Sequence, residues 1–165
     1  TQAACDVLFS ALLKANYPCL SLHGGQDQGD RADTIADFKK KKKTLMVATS
    51  VAARGLDVKD LILVVNYDVP NHLEDYVHRV GRTGRAGNKG NAVTFICPEE
   101  EKFAPDIVKA LTDSKQSIPA DLAKLSEDYL KKKNEGQAVG HSSGYGGKGF
   151  KFDSKEVEKK QETIK

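Results

Sequence analysis

No stretch of this 165-residue chain approaches the roughly 18 uninterrupted apolar residues that span a bilayer, so no membrane-crossing helix is expected. The first residues, Thr1 to Leu13, lack a basic leader region, and no secretory signal is expected. Cysteine is scarce. Cys5, Cys19 and Cys97 are an odd number without a CxxC pair, which argues against a disulfide framework or a zinc knuckle and for a reducing compartment. A large excess of one charge is missing too. The 26 basic and 23 acidic side chains leave a formal net charge of +3, too balanced for a histone-like polycation. The first 125 residues hold 17 bases against 16 acids, so any anion site there must be built by local clustering. Hydrophobic residues at 39% and charged residues at 30% suffice for the core of about one domain, with some chain left over.

Arginine is the rare cation, and it is clustered. There are five: Arg31, Arg54, Arg79, Arg82 and Arg85, the last three within seven consecutive residues. Lysine serves as the ordinary solubilising charge. Arginine is kept for places that need a planar fork of donors, such as phosphate contacts.

Helical and strand periods alternate along the chain. Ala4, Val7, Leu8, Ala11 and Leu12 repeat at helical spacing, and Cys19–Leu22 reads as a short strand. A helix opening at Asp27 or Gln28 ends near Phe38. Thr44–Ala48 and Leu61–Val65 are apolar runs of the kind buried on both faces of a parallel sheet. Asn71 with Glu74 resembles a capping box and predicts a helix from about His72 to Val80. Asn91–Ile96 predicts a further strand. Pro98 with Glu99, Glu100 and Glu101 marks a helix start. Leu122, Leu125 and Tyr129-Leu130 allow a last amphipathic helix ending in Lys131–Lys133. Such alternation implies βαβ units and an open α/β sheet, with ligands beyond the carboxyl ends of the strands. The folded domain is expected over 1–133. Residues 134–165 are rich in Gly, Ser, Lys and Glu and are expected to form a flexible tail.

Three constellations carry chemistry. His78-Arg79-Val80-Gly81-Arg82-Thr83-Gly84-Arg85 can bring two arginine forks onto one polyphosphate, with glycines that let the backbone approach; the plainer alternative is a solvated basic turn. Thr49-Ser50-Val51-Ala52-Ala53-Arg54-Gly55-Leu56-Asp57 directly follows a strand. Its amides suit a phosphate and Asp57 a ribose hydroxyl, or it is simply a strand-to-helix turn. His23-Gly24-Gly25 with Gln28 and Arg31 offers amides and a cation at a helix start, against a glycine turn with a packed histidine and an exposed arginine. Lys39–Lys43 reads as a solvated helix end or a nucleic-acid contact. The chain contains no G-x-x-x-x-G-K-[ST] loop and no acidic pair after a strand to hold Mg²⁺. The arginines therefore read as half of a nucleotide site whose lysine-and-metal half is expected elsewhere.

Together these residues resemble the C-terminal RecA-like lobe of DEAD-box ATP-dependent RNA helicases. Arg54-Gly55-Leu56-Asp57 and the octet 78–85 match that family's motifs V and VI, and His23-Gly24-Gly25 with Gln28-x-x-Arg31 matches its RNA-contacting motifs. The resemblance implies an α/β, RecA-like open parallel sheet with helices on both faces. It implies that Arg82 and Arg85 are catalytic arginine fingers towards ATP. Gly55 and Asp57 would also face the nucleotide, and His78 and Arg79 would couple the lobes. Gly25, Arg31, Thr49 and Gly55 would line single-stranded RNA along its sugar-phosphate backbone. The cofactor would be ATP with Mg²⁺, the metal held by an N-terminal lobe in cis, which this chain lacks, as it lacks the family's strand before the first helix. Ser50 stands where many members carry Asp, and Lys39–Lys43 replaces a stretch that usually holds Gly. Ser50–Asp57 and the tail Gly147–Asp153 look most like the nuclear members that act in pre-mRNA splicing at branch-site recognition. That implies a nuclear monomer with snRNP or splicing partners and no membrane. A non-catalytic α/β module that binds nucleotide or RNA is the alternative. A DNA helicase lobe fits the GG and QxxR elements less well.

Overall fold

The computed structural model describes residues 1–54, 56, 58, 61–84 and 89–137. Helix α1 (Gln2–Lys14) is capped by Thr1, whose hydroxyl accepts from the Ala4 amide at 3.1 Å. It leads into strand β1 (Cys19–Leu22), helix α2 (Gln28–Lys39), strand β2 (Leu45–Ala48) and the single turn α3 (Ser50–Ala53). Strand β3 (Leu63–Asn66), helix α4 (Leu73–Val80) and strand β4 (Asn91–Thr94) follow. A 3₁₀ turn (Pro98–Phe103) runs into α5 (Ala104–Asp113), and α6 (Ala120–Asn134) packs against both.

Among the described residues all strand pairing is parallel. β1 pairs β2 with Leu22 opposite Ala48, and β3 pairs β4 with Asn66 opposite Thr94. The ladders form two separate pairs, joined to no common ladder among the described residues. Each pair has its own core. Leu22, Ala52, Leu56 and Val58 gather with Ile35, Phe38 and Met46 around the first. Val69, Phe103, Ala104, Ile107 and Leu122 gather beside the second. Cys5 and Cys19 are buried and Cys97 is exposed, all three as free thiols.

Three sequence expectations need correction. The run Leu61–Val65 is not buried on both faces: Ile62 is 84% exposed and Leu63 and Val65 about half exposed. Along β3 Asn66 is buried and Val64 half-buried, so only that side of the strand is covered. Leu45, likewise, is partly exposed rather than buried. The Asn71–Glu74 capping box does not form. The N-cap is His72, which makes no side-chain cap bond, and the helix begins one residue later than expected. The reciprocal bond appears instead at the Pro98 turn, where the Cys97 amide donates to the Glu100 carboxylate at 3.0 Å. The tail expected from residue 134 lies outside the described residues from 138 onward, and α6 ends at Asn134.

Candidate functional site

The parallel register decides what meets. Because Leu22 and Ala48 are partners, the loops that begin at His23 and Thr49 leave the same end of the sheet side by side. The Thr49 amide extends that pairing by donating to the Leu22 carbonyl at 3.2 Å. The Thr49 hydroxyl then turns to accept from the Ala52 amide and start α3.

His23 is a pin for its own turn. Its Nδ1 accepts from the Gly25 amide at 3.2 Å and its Nε2 lies 2.9 Å from an Asp6 carboxylate oxygen on α1. An accepting Nδ1 leaves the proton on Nε2, pointed at Asp6. Gln26 closes the loop from both sides, accepting from the His23 amide and donating to the Ser21 carbonyl. His23 is buried and held on both ring nitrogens, so the packed-histidine alternative describes it. Gly25 thus presents a fixed backbone. Arg31, one turn into α2, donates to the Gln28 side chain at 3.1 Å, and its Nε is buried without a hydrogen-bond partner among the described residues.

The second cluster centres on Asp75 of α4. Its carboxylate accepts from Ser50 Oγ at 3.2 Å, from Arg54 at 3.0 Å and from Arg79 Nε at 3.1 Å. Asp75 is only 8% exposed. Burial pushes its carboxyl up, but the hydrogen bonds and positive charge of Arg54 and Arg79 outweigh that and hold it below the usual carboxylate range. Arg79 also donates to the Asp68 carbonyl at 3.0 Å and to the side chain of Asn66, which in turn donates to Thr94 Oγ1. One arginine therefore ties α4 to the ends of both β3 and β4.

Past α4 the chain tightens. Arg82 donates to the Leu56 carbonyl at 3.0 Å, and the Thr83 hydroxyl donates to the Leu61 carbonyl. Gly84 has φ +67°, and a Cβ on Gly90 would collide with Thr83 and Gly84, so both positions need glycine. His78 stands exposed on α4, 4.0 Å from Glu74. Gly55, Asp57 and Arg85 lie outside the described residues.

Asp75 therefore joins Ser50, Arg54 and Arg79, while Thr49 bonds to Leu22 and Ala52 and Arg82 to Leu56, with the His23–Gly25 turn beginning beside Thr49. Among the described residues His78 meets only Glu74 of its own helix through its side chain. Lys39–Lys43 lies at the amino end of β2, away from this surface; Lys42 pairs with Asp37 at 2.7 Å. The sequence reading missed Asp75 and Asn66 as site residues and gave Ser50 no partner. The one available signal was Asp75 four residues before Arg79, the spacing of a helical ion pair. Among the described residues there is no group of three or more His, Cys, Asp or Glu side chains placed to hold a metal, and no helix is long and apolar enough to cross a membrane.

The helicase conserved C-terminal domain model matches residues 1–87. The chain is 62% identical over 151 residues to DEAD-box ATP-dependent RNA helicase 42 of Oryza sativa subsp. japonica, covering 92% of this chain and 14% of that protein. It is 55% identical over 149 residues to the pre-mRNA-processing ATP-dependent RNA helicase prp5 of Neosartorya fischeri, covering 90% of this chain and 12% of that protein. The fold is similar to that of the yeast DEAD-box splicing factor Prp28, with TM-score 0.69 and 33% identity over 75% of this chain and 29% of that one. The chain spans about one seventh of the length of the curated relatives it matches.

Proposed function

The chain belongs to the family of helicase conserved C-terminal domains, and from that premise we propose that it serves as the second RecA-like lobe of a nuclear DEAD-box ATP-dependent RNA helicase acting on pre-mRNA. The names of its relatives, a pre-mRNA-processing helicase and a splicing factor, support the pre-mRNA part of this reading, and the nuclear location is proposed from that part. The observation that carries the rest is the joining of three functional segments at one end of the strands. Thr49 bonds to Leu22, where β1 ends and the His23 turn begins, and Asp75 links Arg54 to Arg79 of α4.

On this reading the Gly25 backbone, Arg31, Thr49 and Gly55 follow the sugar-phosphate backbone of single-stranded RNA. Such contacts position a strand without reading its bases. ATP with Mg²⁺, both held mainly by the N-terminal lobe, supplies the phosphoryl group and its counter-charge. The donor set here fits the polyphosphate side of that arrangement. Arg82 commits one N–H to the Leu56 carbonyl, and a guanidinium carries five. On this reading its remaining donors, and the guanidinium of Arg85, act on oxygens that gain charge in the transition state. Asp57 accepts from the ribose, Gly55 gives the nucleotide close approach, and His78 on the exposed face of α4 meets the other lobe together with Arg79.

The test is substitution in the two-lobe parent protein. Arg82→Lys and Arg85→Lys keep the charge and lose the fork. Each should cut RNA-stimulated ATP turnover by ~10³-fold, the scale of arginine-finger contributions, with nucleotide affinity falling far less. RNA-stimulated hydrolysis near the parent level in both variants would show that these arginines are RNA or structural contacts instead.

A further inference from the structure

The Asp75 carboxylate joins segments that the functional reading treats separately. Ser50 and Arg54 belong to the turn after β2, which faces RNA. Arg79 belongs to the helix that leads into the phosphate-facing arginines. A single buried oxygen pair accepts from all three residues, at 3.0–3.2 Å. The Ser50 contact depends on a hydroxyl at this position. Where many family members carry Asp, a serine hydroxyl donates to Asp75, and an aspartate there would set two carboxylates against each other.

We propose that Asp75 is a positioning residue that sets the RNA-facing turn and the arginine helix as one unit, so that RNA bound along the first fixes the geometry of the second. The proposal rests on the helicase-lobe reading. If the carboxylate is lost, Arg54 loses its contact to α4 and Arg79 keeps only its contacts to Asp68 and Asn66. The side-chain tie between the two segments is then left, among the described residues, to the Arg82–Leu56 bond, and their relative position is less firmly set. Misplacement of a catalytic group by ~1 Å can lower a rate by as much as ~100-fold.

The experiment uses the two-lobe parent protein and three readouts: thermal midpoint, affinity for a fluorescent ATP analogue, and ATP turnover as a function of single-stranded RNA concentration. Asp75→Asn should raise the RNA concentration for half-maximal turnover, and lower maximal turnover per folded molecule, by about tenfold or more, with ATP-analogue affinity unchanged. Ser50→Asp places a like charge beside Asp75 at a position where relatives of the family tolerate Asp. It keeps the test open should Asp75→Asn fail to fold, and it should shift the RNA dependence in the same direction. A merely structural Asp75 would lower the thermal midpoint yet leave half-saturation and turnover of the folded fraction at parent values in both variants. That result overturns the proposal alone. A parent protein without RNA-stimulated hydrolysis overturns the helicase-lobe reading, and this proposal with it.

Discussion

Asp75 illustrates how much one side chain can be asked to do. A buried charge is costly unless paired, and removing one partner of such a pair typically costs ~3–5 kcal/mol. Here the pairing is triple, and Arg54 and Arg79 hold the carboxyl below its ordinary range. The sign of the pH dependence follows. A group whose folded pKa is depressed stabilises the fold fully above its unfolded pKa, ~3.9 for Asp. That contribution is lost as pH falls below this value and through the depressed folded one. Thermal unfolding measured across acid pH should therefore show the parent losing stability in that window more steeply than Asp75→Asn, which has no such proton to take up. Parallel curves would mean that the ion pairs contribute nothing to the folded state.

At the scale of elements, four helices stop by the same device. After α1, α2, α5 and α6 the chain enters a positive φ: Asn16 at 61°, Lys41 at 57°, Lys115 at 55° and Gly136 at 72°. The Lys41 amide donates to the Phe38 carbonyl and the Lys42 amide to Asp37, the paired bonds of a Schellman ending. Lysine there meets the steric penalty that glycine avoids. Lys41→Gly should therefore stabilise the chain by about 1 kcal/mol in thermal or denaturant unfolding. Lys41→Ala removes the charge but keeps the penalty, so it should give no such gain. Equal stabilisation by both would assign the effect to charge repulsion within Lys39–Lys43. The strands are the less self-sufficient elements. Leu63, Val65 and Val93 expose apolar surface on one face of the β3–β4 pair, and two parallel strands with one open face have little independent stability.

For the whole molecule, the near balance of charge sets the expectation for binding. With a net charge of +3 there is no strong general attraction to RNA. Affinity must come from a few local phosphate contacts, each releasing counterions. The chain by itself should bind single-stranded RNA weakly, with affinity falling as salt rises. Titration at two ionic strengths checks this, and tight salt-independent binding would contradict a backbone-only surface. Hydrolysis should be absent from the isolated chain, since it contains no P-loop sequence.

The sequence by itself determined most of the elements and the residues from which a site chemistry is proposed. Hydrophobic period located α1, β1, α2 and β4 within a few residues, because those signals are local. The clustering of Arg79, Arg82 and Arg85 pointed to phosphate, because guanidinium geometry belongs to the residue rather than to the fold. Only the tertiary structure decided the connections. Ser50 and Asp75 are 25 residues apart, and Arg82 and Leu56 are 26 apart, spacings that no helical or strand period encodes. Burial was also decided there. Leu61–Val65 reads as a strand covered on both faces, yet coverage depends on what packs against it. A local apolar run shows what a strand can bury, and the neighbouring elements settle what it does bury.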